Sequence, residues 1–91
     1  MRSSYFEVKY TENALKALKR LDKHQAQIII SWIEKNLVEC ENPRLYGKPL
    51  DREKKGYWRY RLGAYRIIAD IRDSELIIVI INTGHRKEVY D

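Results

Sequence analysis

The stretch that decides the fold is residues 57–72, which read YWRYRLGAYRIIADIR. Apolar and polar side chains alternate on both sides of the central pair Gly63-Ala64. This pair suits a two-residue type II′ turn, which has glycine at its first central position. We therefore predict an antiparallel hairpin made of two strands, Tyr57–Leu62 and Tyr65–Arg72.

The alternation gives the hairpin two different faces, because neighbouring side chains in a strand point to opposite sides. One face is apolar and is predicted to pack under helices; it holds Trp58, Tyr60, Leu62, Tyr65, Ile67, Ala69 and Ile71. The other face is largely charged and holds Tyr57, Arg59, Arg61, Arg66, Ile68, Asp70 and Arg72. On this second face Arg61 is predicted to lie directly opposite Arg66, with Arg59 one step along the strand.

Like charges placed opposite each other destabilise a sheet by up to about 1 kcal/mol. An anion that neutralises the three guanidiniums would explain why they converge, and arginine binds phosphate oxygens in a bidentate manner. The alternative is that Asp70 and other acids neutralise them, or that the long side chains extend into water. We expect a phosphate-binding surface.

The rest of the chain predicts a strand, two helices and one further strand. Tyr5–Tyr10 alternates as a strand does, and Thr11 suits the N-cap of a first helix. A capping box at Asp22 and Gln25 separates that helix from a second one, which is expected to run from Lys23 to about Glu39 in a helical hairpin. The last strand, Leu76–Thr83, begins with six apolar residues without alternation, so we expect it inside the sheet and covered on both faces.

These elements predict one α+β domain over residues 1–91, in the order β-α-α-β-β-β. The N-terminal helical hairpin is expected to pack on a mostly antiparallel sheet of four strands. A length of 91 residues leaves no room for a second domain.

Composition excludes several classes of protein. The longest apolar run has six residues, far below the roughly 20 of a membrane span, and no signal peptide is expected. A single cysteine, Cys40, suits a reducing cytosol and is expected to be a small buried residue. His24 is expected to be exposed at the helix–helix turn. With two histidines and scattered acids, no metal or cofactor site is predicted.

The positive charge of the chain is local. The net charge is +5, yet residues 44–66 alone carry +6, from eight Lys and Arg against two acids. Such a concentration indicates a polyanionic partner.

The C-terminal residues 84–91, GHRKEVYD, bring further reactive groups to the end of the last strand. His85 supplies an imidazole that could act as an acid or base, Arg86 adds a fourth guanidinium and Tyr90 supplies a phenol. The alternative is a frayed surface tail. We expect the tail to belong to a functional site only if the sheet brings it beside the arginines.

Together, the order of elements, residues 57–68 and the ending GHRKEVY resemble the RelE/ParE superfamily of bacterial and archaeal toxins. The resemblance covers nearly the whole chain. The Trp-Arg-x-Arg and Tyr-Arg strand pair marks the superfamily generally. The ending is similar to that of the RelE branch, which cuts mRNA on the ribosome; the ParE branch, which inhibits DNA gyrase, tends to lack it.

This resemblance implies a metal-independent, ribosome-dependent endoribonuclease that cleaves the A-site codon by attack of the message's own 2′-hydroxyl. The matching catalytic positions are Arg59, Arg61, Arg66, Arg86 and Tyr90, with His85 as a further candidate acid or base. Arg59 and Arg61 replace lysines of the best-known member, and because arginine stays protonated neither can act as a general base. RNA contacts without chemistry are predicted for Lys48, Lys54 and Lys55.

The resemblance also implies partners and a location. A small RelB-like antitoxin with an acidic tail is expected to wrap the toxin, and operator DNA is reached only indirectly, through the antitoxin. The ribosome and mRNA complete the expected partners in the cytoplasm, with no membrane involved.

Two other functions stay open from the residues. The first is a ParE-like inhibitor of DNA gyrase that acts by protein contact on the same fold. The second is an RNA-binding module without catalysis, in which the arginines only hold phosphate.

Overall fold

A computed structural model describes residues 5–50 and 56–85. Two helices pack on one sheet, which confirms the predicted α+β class. The helices are α1 (Glu12–Arg20) and α2 (Lys23–Asn36), and the strands are β1 (Glu7–Tyr10), β2 (Lys48–Pro49), β3 (Tyr57–Leu62), β4 (Tyr65–Arg72) and β5 (Ile77–His85).

The sheet has five strands in the order β1-β5-β4-β3-β2, so the predicted count of four was wrong. The additional strand, β2, has only two residues, Lys48 and Pro49, which pair with Arg59 and Trp58 at the sheet edge. Sequence patterns miss so short a strand because two residues carry no alternation. The pairing is antiparallel except between β1 and β5, which run parallel.

Both helix starts form as predicted. The Thr11 side chain accepts a hydrogen bond of 3.0 Å from the Ala14 N–H. The Asp22 carboxylate accepts one of 2.8 Å from the Gln25 N–H, and the Gln25 side chain accepts one from the Asp22 N–H, which completes the capping box. Helix α2 ends at Asn36 rather than near Glu39, because the chain turns there, with Glu39 at φ +60°.

The main core lies between the helices and one face of the sheet, called here the helix face. Its fully buried side chains come from α2 (Ile29 and Ile33), β3 (Tyr60), β4 (Ile67) and β5 (Ile78 and Ile80). The predicted apolar face of the hairpin contributes all its members to this core or its margin, which confirms the assignment of that face.

Strand β5 lies inside the sheet, between β1 and β4, as predicted. It is not covered equally on both faces, however: Ile78 and Ile80 are buried, whereas Ile77, Val79 and Ile81 are half-buried. Strand β4 is the one buried on both sides, from Arg66 to Ala69.

A bulge interrupts the pairing of β4 with β5. Ile68 pairs with Asn82 and Ala69 with Ile80, so Ile81 is an extra residue. The Ile81 carbonyl instead accepts hydrogen bonds from the Thr11 hydroxyl (3.1 Å) and the Asn13 amide (3.2 Å) at the start of α1. An extra residue shifts all later side chains of the strand to the opposite face.

Neither α1 nor α2, the helices found in residues 5–50 and 56–85, is long and apolar enough to cross a membrane.

Candidate RNA-binding site

The hairpin of β3 and β4 has the register predicted from its sequence. Leu62 pairs with Tyr65, and Arg61 pairs with Arg66. Gly63 has φ +60°, as the first central residue of a type II′ turn requires, whereas Ala64 has no positive φ. The turn thus sets which side chains face each other along the whole hairpin, as far as the pair Tyr57–Asp70.

Three arginines lie on the side of the sheet opposite the helices, called here the arginine face: Arg59, Arg61 and Arg66. Arg61 and Arg66 are directly opposite, and such pairs have Cβ atoms about 4.5–5.5 Å apart. Lys48 of β2 pairs with Arg59 and so joins the same face.

The arginines differ in exposure, which separates their possible roles. Arg61 and Lys48 are exposed, Arg59 is half-buried and Arg66 is only 8% exposed. Arg61 and Lys48 are therefore accessible to a ligand, Arg59 is accessible in part, and Arg66 is largely covered.

The arginine face also has an apolar part, which the net charge of residues 44–66 does not reveal. Ile68 and Leu50 form a second small buried cluster, with Tyr57 packed against it. Asp70, offered by the sequence as a neutralising acid, directs its carboxylate to Arg72, whose Nε lies 3.1 Å away. Asp70 therefore pairs with Arg72, at the far end of β4 from the Arg61–Arg66 pair.

His85 does not share the arginine face. Gly84 pairs with Arg66, which places the exit of β5 beside the arginines, but His85 pairs with Tyr65 on the helix face. Its ring lies 5.2 Å from the Tyr65 ring, centroid to centroid. His85 also lines a cavity that includes Ala17 and Gln25 of the helices. The bulge at Ile81 causes this placement.

Four predicted site residues lie outside the described residues: Lys54, Lys55, Arg86 and Tyr90. His24 is exposed, as expected, and Cys40 is half-buried. Burial raises the pKa of the Cys40 thiol, which disfavours the thiolate. Among residues 5–50 and 56–85, no three His, Cys, Asp or Glu side chains come together as metal ligands would.

A cleft of about 360 Å³ opens at the sheet edge next to the arginine face. Its lining combines aromatic and cationic side chains and comes from α2, the loop before β2, β2 itself and β3: Trp32, Tyr46, Gly47, Lys48, Arg59, Tyr60 and Arg61. The sequence predicted Tyr60 on the apolar face of the hairpin and indicated no role for Tyr46. The motif Tyr46-Gly47-Lys48, an aromatic beside a cation in a basic loop, was the available signal.

The loop that carries Tyr46 is held against the sheet by hydrogen bonds from two aromatic side chains of β3. The Trp58 indole N–H donates to the Tyr46 carbonyl at 2.6 Å, and the Tyr60 hydroxyl donates to the Pro43 carbonyl at 2.6 Å. Burial raises the pKa of Tyr60, which keeps this hydroxyl protonated as a donor.

Arginine 44 provides a further attachment for the same loop. Its guanidinium forms two hydrogen bonds of 2.9 Å with the Asp73 carboxylate in the β4–β5 turn and lies 5.8 Å from the Trp58 ring centroid. The Arg44 guanidinium holds the pKa of Asp73 below its usual range. The loop and the cleft wall are thus fixed by contacts far apart in sequence.

Similarity to known proteins identifies the family of this chain. A family model described as the ParE toxin of the type II toxin–antitoxin system parDE matches residues 8–90. The chain belongs to this toxin family, within the RelE/ParE superfamily. It is therefore a toxin of a type II toxin–antitoxin system.

Two relatives of this RelE/ParE toxin have RelE-type names. Toxin RelG of Mycobacterium tuberculosis is 29% identical over 85 residues, which cover 93% of this chain and 95% of RelG. A RelE-like toxin protein of Escherichia coli is 30% identical over 89 residues, covering 94% of this chain and 90% of that protein.

A solved structure of similar shape is a complex of toxin and antitoxin. The crystal structure of RelBE2 from Mycobacterium tuberculosis superposes with a TM-score of 0.82 at 28% identity, covering 92% of this chain and 94% of that one. Its shape supports the assignment of the fold.

Proposed function

We propose that this toxin is a ribosome-dependent endoribonuclease that cleaves mRNA in the A site and so inhibits translation in the cytoplasm. The observation that supports this most is the arginine face, where Arg61 lies directly opposite Arg66 and Lys48 pairs with Arg59. A scissile phosphate bound there would compensate the repulsion between these cations.

The reaction is a transfer within the message itself. The 2′-oxygen of one nucleotide forms a bond to the adjacent phosphorus, and the bond from phosphorus to the 5′-oxygen of the next nucleotide breaks. A base takes the proton from the 2′-hydroxyl, and an acid gives one to the departing 5′-oxygen. The products are a 2′,3′-cyclic phosphate and a 5′-hydroxyl, so no water is consumed in this step.

The arginines supply charge stabilisation rather than proton transfer. Negative charge grows on the non-bridging oxygens in the transition state, and fixed guanidiniums stabilise it without reorganising. Arg61 and Arg59 are exposed enough to contact these oxygens, and Arg86 is proposed as a fourth cation. Arg66, which is only 8% exposed, would contribute its positive charge mainly without direct contact with the phosphate.

For proton transfer we propose Tyr90 ahead of His85. An ordinary phenol has a pKa near 10, and several neighbouring guanidiniums would lower it toward a useful value. His85 pairs with Tyr65 on the helix face, away from the arginines. We expect Tyr90→Phe to reduce cleavage far more than His85→Gln; the reverse order would assign the proton transfer to the histidine.

The partners follow from the same surface. We propose a RelB-like antitoxin whose acidic segment folds on the positive surface and blocks it. This antitoxin would also connect the toxin to operator DNA. Lys48, Lys54 and Lys55 are proposed to contact RNA backbone without taking part in the chemistry.

The decisive experiment incubates programmed ribosomes with the toxin and maps message ends by primer extension. We expect cuts in the A-site codon that disappear with Arg61→Ala, Arg86→Ala and Tyr90→Phe. The matched control is Arg20→Ala, an exposed arginine at the end of α1, which should cut like the wild type. Intact message with the wild-type toxin would refute the proposal.

One observation favours a second candidate, inhibition of DNA gyrase. The family model that matches residues 8–90 is that of the ParE toxin. A supercoiling assay with purified gyrase separates the candidates, because blocked supercoiling together with intact message would favour the gyrase inhibitor.

A further inference from the structure

The cleft beside the arginine face has an unusual lining for a surface of a small protein. Three of its lining side chains are aromatic, Trp32, Tyr46 and Tyr60, and three are cationic, Lys48, Arg59 and Arg61. Its volume of about 360 Å³ is at the lower end of the range for small-molecule sites. The lining therefore suits a small flat group that carries negative charge at one end.

The three aromatic rings of the cleft are held together by contacts with Trp32. Trp32 contacts Tyr46 edge-on at 5.8 Å and Tyr60 at 5.3 Å between ring centroids. Tyr46 is nevertheless 42% exposed, so part of its ring is available. The hydrogen bond from Trp58 to the Tyr46 carbonyl fixes the backbone that carries this ring.

Gly47 lets the segment that carries Tyr46 and Lys48 approach β3 closely. Its φ is +82°, and a Cβ atom at this position would lie 2.3 Å from the Arg59 carbonyl oxygen. Only glycine permits both the left-handed backbone and this close approach. The residues on either side, Tyr46 and Lys48, are thereby held at the entrance of the cleft, one aromatic and one cationic.

A fixed, exposed aromatic ring beside cations is the combination that binds single-stranded nucleic acid. Bases stack on the rings while the cations contact the phosphates, and each stacked base contributes about 1–3 kcal/mol. We propose that this cleft takes one unpaired nucleobase of an RNA strand, stacked on Tyr46, whose phosphate lies toward Arg59, Arg61 and Lys48. This inference rests on the proposed function and adds a base-binding subsite to it.

Binding of a labelled five-nucleotide single-stranded RNA, followed by fluorescence anisotropy with the full chain, tests this subsite without requiring cleavage. We expect Tyr46→Ala to weaken binding about tenfold, which corresponds to about 1.4 kcal/mol. Tyr46→Phe keeps the ring and should bind like the wild type. The matched control is Tyr5→Ala, which removes a ring that is 49% exposed next to β1 at the opposite sheet edge.

An abasic nucleotide, moved through the RNA one position at a time, gives a test with the wild-type chain alone. At the position whose base occupies the cleft, we expect the same loss of about tenfold, while the abasic RNA and Tyr46→Ala together lose no more than either does. No position-dependent loss, or full additivity of the two changes, would overturn the proposal.

The salt dependence of binding separates the base from the phosphate. Lys48→Ala should reduce the slope of log Kd against log salt by about 0.7, whereas Tyr46→Ala should shift Kd at unchanged slope. Unchanged RNA binding by Tyr46→Ala, with weaker binding of an acidic antitoxin peptide, would assign the cleft to a protein partner instead.

These experiments distinguish a failure of the base subsite from a failure of the proposed endoribonuclease function. A chain that binds RNA through Tyr46 but leaves message intact would refute the endoribonuclease and keep the base subsite. A chain that cuts message equally well with Tyr46→Ala, and binds RNA equally well, would keep the endoribonuclease and refute the subsite.

Discussion

The two faces of the sheet in this toxin differ in what determines them. The helix face is sealed by Ile29, Ile33 and the side chains of β3, β4 and β5, and its centre is fully buried. The arginine face has only the small cluster of Leu50 and Ile68, and around it lie cations that directly oppose each other. Burial of apolar surface stabilises the first face, whereas like charges that directly oppose each other are unfavourable on the second.

This difference predicts which substitutions should affect folding and which should affect function. Changes on the helix face should lower the free energy of unfolding, while changes among the exposed cations should leave it nearly unchanged. Substitutions on each face test this separation between folding and function.

Ile80→Ala on the helix face should have the largest effect on folding. Ile80 is fully buried, and truncation of such a residue costs about 2–5 kcal/mol. Ile77→Ala, in the same strand but half-buried on the arginine face, should cost less than half as much. Urea unfolding followed by circular dichroism measures both; equal losses would mean that the two faces are packed alike.

Arg61→Ala should reverse this pattern. Arg61 is exposed opposite Arg66, so its removal should change the free energy of unfolding by no more than about 0.5 kcal/mol. Cleavage on programmed ribosomes should fall at least about 100-fold, because a fixed charge aimed at the transition state is lost. A large loss of stability with normal cleavage would show that the arginine has a structural role.

Tyr60→Phe tests the region where the two faces meet at the cleft. Its hydroxyl donates to the buried Pro43, and loss of the donor leaves a buried carbonyl unsatisfied at a cost of about 1–3 kcal/mol. Tyr5→Phe, at a half-exposed ring, is the control and should unfold like the wild type. Equal unfolding midpoints for the two variants would mean that the loop does not depend on this bond.

Asp73→Asn should lower the free energy of unfolding by less than about 1 kcal/mol, because its pair with Arg44 is exposed. Arg44 lowers the pKa of Asp73 in the folded chain, so the pair stabilises fully above the unfolded pKa of about 3.9 and loses its effect as the pH falls through the lowered value. The difference in unfolding free energy between variant and wild type should therefore be present at neutral pH and disappear in acid, once the pH is below the lowered pKa of Asp73. A difference that persists in acid would have another origin than this ion pair.

Much of the fold was predictable because its signals are local. The hairpin register follows from Gly63-Ala64 and from strict alternation, and the helix starts follow from Thr11 and the Asp22–Gln25 box. Strand β2 and the end of α2 were not predictable in this way. Their positions depend on pairing with distant residues, which carry no mark in the local pattern.

The candidate site divides along the same line. The sequence by itself determined that Arg59, Arg61 and Arg66 share one face, because a period of two and a two-residue turn leave no other arrangement. Only the tertiary structure decided the place of His85, because a bulge at Ile81, held by Thr11 and Asn13 of the helix, moves it to the other face. The uninterrupted apolar run before it has no alternation that would reveal such a shift. The cleft likewise exists only where α2, the loop and β3 meet, since contacts between distant segments bring its walls together.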